Sequence, residues 1–177
     1  MGGSEVKLRA FAAAAMAALG AFSANGASAQ TFRDPNPDLL AVGVGYFDAL
    51  HEDASAAQFR AEWRRGKGWW IIKPFAGFMG TTDGAYHGYA GVLFDIPVGN
   101  FFITPSFAPG VYVRGDGKNI GGPIEFRSQI ELGYRLPNRG RIALSLDHIS
   151  NAGIYKRNPG VETVMLTYGM PLDMIIP

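Results

Sequence analysis

The sequence contains no cysteine, which excludes both disulfides and thiolate metal sites. It shows no excess of either charge beyond residue 29. Two of the 16 basic and one of the 15 acidic residues lie in the first 29 positions, and the remainder balances at 14 each. A nucleic-acid binder would present a basic face, and none is there. Past residue 29, no apolar run approaches the roughly 18 residues that a membrane-spanning helix requires. A convincing helical period is missing as well. The 177 residues suffice for one domain. An exported domain of this size without disulfides must rest on its core, a closed sheet or a bilayer.

What is present begins with a leader. Lys7 and Arg9 precede a small-apolar run from Ala10 to Phe22, and Ala27-Ser28-Ala29 supplies a small-x-small cleavage site. That layout predicts a signal peptide over residues 1–29 and a single mature domain over 30–177. An Ala-rich structural helix would want a polar face, and nothing polar interrupts the run.

Gly and Pro punctuate the mature part into eight strand-like segments: Leu39–Asp48, Ala56–Arg64, Trp69–Phe78, Tyr86–Ile96, Phe101–Val113, Ile124–Leu136, Arg141–Asn151 and Val161–Leu172. Most are about ten residues, the length with which a tilted strand crosses a bilayer. Short turns at Arg65–Gly68, Pro97–Asn100 and Pro137–Gly140 alternate with longer polar loops such as His51–Ser55, Gly80–Ala85 and Arg114–Pro123. Bacterial membrane barrels have this asymmetry, with short turns toward the periplasm. A soluble up-and-down barrel would also fit the count.

Alternation favours the membrane version. Ile124, Phe126, Ile130, Leu132, Tyr134 and Leu136 share one face, with Ser128 its only polar member. Glu125, Arg127, Gln129, Glu131, Gly133 and Arg135 share the other. A membrane barrel turns its apolar face to lipid and pairs its charges inside. Ion pairing among Glu125, Glu131, Arg127 and Arg135 is therefore expected, because unpaired buried charge is costly. Trp63, Trp69, Trp70, Tyr86 and Tyr89 lie near segment ends, as interfacial girdles do, although core packing would account for any one of them. The fold expected is an all-β, eight-stranded antiparallel up-and-down outer-membrane β-barrel.

The hairpin over residues 141–172 carries the chemistry. Strand alternation puts Ile142, Leu144, Leu146, His148 and Ser150 on one face, with His148 and Ser150 about 7 Å apart at the backbone. An imidazole that takes a hydroxyl proton while the oxygen attacks a carbonyl is half of a hydrolase. Glu162 heads the next segment on a face otherwise built from Val164, Leu166, Tyr168, Met170 and Leu172. Antiparallel pairing through Asn158-Pro159-Gly160 brings it beside His148. A lone His-x-Ser is ordinarily incidental, and a lone Glu162 could snorkel to headgroups. Three polar residues at one height on a lipid-facing wall need a reason, and catalysis supplies one. Asp147 points the other way and belongs with the interior network.

Glu125-Phe-Arg-Ser-Gln-Ile-Glu-Leu-Gly-Tyr-Arg135, His148-Ile-Ser-Asn-Ala152 and Asn158-Pro-Gly-Val-Glu162 together resemble the lipid A 3-O-deacylase family (the PagL type). The resemblance is close over about the last third of the chain. It implies His148 as general base, Ser150 as nucleophile and Glu162 as the acid that orients His148. Asn158, with Gly160 or neighbouring amides, would form an oxyanion hole, and Asn151 would support it. It implies no metal and no organic cofactor. Its substrate would be lipid A of lipopolysaccharide, met among outer-membrane lipids on the outward-facing end of the barrel. Lys156 and Arg157, or Arg114 and Lys118, are candidates to hold lipid A phosphates, and solvated loop charge explains each equally well. No role attaches to His51 or His87, and a homodimer stays open. The competing reading is a structural or lipid-binding barrel without catalysis.

Overall fold

The computed structural model describes residues 36–51 and 53–176, so the expected leader lies outside the described residues. The strands are β1 (Leu39–Phe47), β2 (Ala56–Arg64), β3 (Ile72–Thr81), β4 (Tyr86–Phe94), a short β5 (Ile96–Val98), β6 (Phe101–Val113), β7 (Ile124–Arg135), β8 (Arg141–Ser150) and β9 (Val161–Pro171). Each long strand pairs antiparallel with its sequence neighbour, β4 pairs with β6, and β1 pairs with β9. Eight long strands thus close into one barrel, each paired on both sides. β5 continues the direction of β4 past Asp95 and folds back on the start of β6 through Gly99.

Two expected boundaries shift. The third strand begins at Ile72 rather than Trp69, because Trp70 takes a left-handed φ of 58° in a turn closed by the Trp69–Ile72 bridge. That strand runs on to Thr81, which shrinks the following loop to residues 82–85.

The wall is apolar outside and charged inside. Leu132 and Leu144 are each 58% exposed, whereas Glu62, Glu131 and Asp147 are 2%, 0% and 1% exposed. Arg60 reaches Asp147 at 2.5 Å, and Arg127 reaches Asp147 at 3.0 Å and Glu62 at 3.3 Å. Arg64 makes two bonds to Glu131, at 2.7 and 2.8 Å, and a third to Glu62 at 2.8 Å. The ion pairing expected among Glu125, Glu131, Arg127 and Arg135 does not form within that set: Arg127, Glu131 and Arg135 pair with residues outside it, and Glu125 makes no ion pair among the described residues. Lys73, Arg135 and Arg141 converge on Asp95 at the end of the barrel that carries the short turns.

Tyr89 departs from the expected girdle. It is 5% exposed and its hydroxyl donates to Glu62 at 2.8 Å, inside the lumen. Trp63, Trp69, Trp70 and Tyr86 do lie on the surface.

Candidate active site

The site forms on the outer wall where β8 meets β9, near the end that carries the longer loops. His148 and Glu162 are direct register partners, both on the outward face. His148 Nδ1 lies 3.0 Å from Glu162 Oε1. With Glu162 ionised, Nδ1 carries the proton and donates it, which leaves the Nε2 lone pair for a substrate-side proton. A carboxylate bond of this kind fixes both ring orientation and tautomer.

Ser150 lies on the same face, two residues along β8 from His148, as the alternation predicts. The strand rise separates their Cα atoms by about 7 Å. Among the described residues, no hydrogen bond joins the two side chains.

The loop after β8 is organised by Asn151, which is fully buried. Its amide donates to the carbonyls of Ile120 (2.9 Å) and Arg157 (2.8 Å) and accepts from Gly153 N–H at 3.0 Å. The Ile120 bond ties residues 151–160 to the β6–β7 loop, the other two hold the segment on itself, and Ile124 N–H donates to the Tyr155 hydroxyl at 3.2 Å. Asn158 is exposed, and its Oδ1 accepts from Asn151 N–H at 3.0 Å. Its amide nitrogen is thereby turned the other way, as a donor.

Gly160 closes the loop against the imidazole. Its φ is +67°, and a Cβ there would stand 2.9 Å from His148 Cε1. Only glycine meets both the backbone and the space requirement without strain.

Of the four loop cations, Lys118 is bound to Asp48 at 2.5 Å and Arg114 to the carbonyl of Gly117 at 3.1 Å. Lys156 and Arg157 are exposed. Two polar residues were not assigned from sequence. Ser128 is the register partner of His148 on its β7 side and is exposed on the same face. His51, in the β1–β2 loop, puts Nδ1 3.1 Å from Glu162 Oε2.

A protein-family model described as lipid A 3-O-deacylase (PagL) matches residues 41–171. A 51-residue segment is 47% identical to the lipid A deacylase PagL of Bordetella bronchiseptica, and it spans 29% of this chain and 29% of that protein. The crystal structure of the outer membrane enzyme PagL superposes with a TM-score of 0.59 at 20% identity, covering 75% of this chain and 99% of that one. A de novo designed transmembrane β-barrel superposes with a TM-score of 0.50 at 15% identity, over 77% and 96%. These solved structures speak to the fold. The family model, which runs from β1 to the end of β9, speaks to descent, and by it this chain belongs to the lipid A 3-O-deacylase (PagL) family.

Proposed function

We propose that this protein is an outer-membrane serine esterase that hydrolyses the ester-linked 3-position acyl chain of lipid A, and that it reaches the membrane through a leader cleaved after Ala29. The observation that carries the reading is the 3.0 Å bond between His148 Nδ1 and Glu162 Oε1 on an otherwise apolar outer wall. An ion-bonded imidazole facing lipid is expensive unless it serves chemistry.

A rotation of the Ser150 side chain brings its hydroxyl to His148 Nε2 when substrate is bound, and such bonds commonly tighten only in the complex. His148 takes the hydroxyl proton while Oγ attacks the ester carbonyl carbon. The oxyanion is met by Asn158 Nδ2 and nearby backbone amides. Collapse expels the sugar 3-oxygen, which takes the proton from His148, and leaves the acyl chain on Ser150. Water, deprotonated by His148, then attacks the acyl-enzyme and releases the fatty acid. Glu162 stays ionised and stabilises the imidazolium formed in each half. The substrate enters sideways from the leaflet without leaving the membrane.

Ser128 gives a second reading of the nucleophile, because it is the in-register neighbour of His148. The test is mass spectrometry of lipid A incubated in detergent with wild type, Ser150→Ala and Ser128→Ala. Loss of one hydroxyacyl mass with wild type and Ser128→Ala only is the expected result. Intact lipid A with folded wild type would favour a structural or lipid-binding barrel.

A further inference from the structure

We infer that His51 is a positioning residue of the active site, holding the second oxygen of Glu162 so that the first is presented to His148. The inference rests on the esterase reading and deepens it. Glu162 is bridged by two imidazoles: Oε1 to His148 Nδ1 at 3.0 Å and Oε2 to His51 Nδ1 at 3.1 Å. A glutamate held by one oxygen can still swing about its terminal torsion, which is broad. A bond to each oxygen fixes the plane of the carboxylate and with it the direction of the bond to His148.

The β1–β2 loop is built to deliver that bond. The β1–β9 ladder continues past the end of β1, with Ala49 N–H donating to the carbonyl of Glu162 itself at 2.9 Å. Asp48 then turns the chain at a φ of 58°. Its carboxylate accepts the Ala54 N–H at 2.9 Å and the Lys118 ammonium at 2.5 Å, and the residue is fully buried. The turn that carries His51 is therefore tied at both ends and to the β6–β7 loop. The turn leaves 54% of the His51 side chain exposed while holding its Nδ1 against Glu162 Oε2. Asp48, His51 and Glu162 lie close enough to suggest a cation site. The Lys118 ammonium already supplies the positive charge at Asp48.

The test compares His51→Ala, His51→Asn and His51→Gln in full-length protein folded in detergent. Asn places its amide nitrogen where Nδ1 stands, whereas Gln places it one atom further out. His51→Ala should lower kcat roughly ten- to hundredfold, the loss expected for one hydrogen bond to a charged group, with KM unchanged. Asn should restore most of kcat and Gln should not. In a Glu162→Gln background, His51→Ala should cost almost nothing more. The His148 Nδ1 proton resonance, read by NMR without substrate, should shift in His51→Ala and return in His51→Asn. That resonance separates the two ideas: wild type inert on lipid A would sink the substrate assignment, while an unmoved resonance would sink the role of His51. Full turnover in His51→Ala, or equal losses with Ala and Asn, would also overturn it.

Discussion

His148 and Glu162 occupy the same rung of the β8–β9 ladder, so their contact is set by backbone register before any side-chain choice is made. A slip of one residue would turn Glu162 into the lumen and put Thr163 in its place on the outer wall. The site and the barrel are thus specified by the same pairing.

Glu162→Gln keeps the shape and removes the charge. It should lower kcat by about 10²–10⁴ with little change in KM, because the amide can hold the imidazole in the wrong tautomer and no longer stabilises its protonated form. Steady-state deacylation of purified lipid A measures this; a loss confined to KM would contradict the orienting role.

Ser150→Ala should reduce turnover by at least about 10³, and His148→Ala should cost nearly as much, since the two act as one unit. Adding the second substitution to the first should change little. Additive losses would mean that the two residues work independently.

Gly160→Ala should be folded and slow. The left-handed backbone costs about 1–2 kcal/mol with a Cβ present, and the new methyl crowds His148 Cε1. Displacement of the ring should appear as lower kcat alongside a small loss in urea unfolding. Wild-type kcat would show that the imidazole has room to move.

Asp147→Ala removes an acceptor shared by Arg60 and Arg127 inside the barrel. Leaving two buried guanidinium groups short of a partner should cost about 3–5 kcal/mol, read by urea unfolding in lipid vesicles. Asp147 faces away from His148 and Ser150, so residual folded protein should retain turnover.

Leu144→Arg tests the membrane placement. On a lipid-facing wall it should destabilise the barrel by about 2–4 kcal/mol in vesicles. A change near zero would mean that this face meets water.

Much of this was legible in the sequence because a strand has a period of two. Parity alone sends Asp147 inward and His148 outward, and the same rule separates Arg127 from Ser128. Parity also carried the information that Tyr86 and Tyr89, three apart, take opposite faces, yet aromatic type and nearness to a strand end pointed both to the girdle. Tyr89 instead serves Glu62. Parity names a face but not a partner across the lumen, so the pairing of Arg64 with Glu131 was out of reach. The Trp69-Trp70 pair read as strand because bulky apolar residues favour sheets, and nothing local announced the left-handed Trp70. His51 was invisible for a different reason. It lies 111 positions before Glu162, and only closure of β1 onto β9 brings them together.

On the proposed esterase reading, the outward position of His148, Ser150 and Glu162 on the wall, rather than in the lumen, also decides what kind of kinetics is expected. A nucleophile that opens onto the hydrocarbon meets its ester by two-dimensional diffusion, and the freed fatty acid stays dissolved in the same phase. The variable that sets the rate is then the mole fraction of substrate in the surface. Diluting lipid A with inert detergent or phospholipid should slow the reaction even when its bulk molarity is held constant.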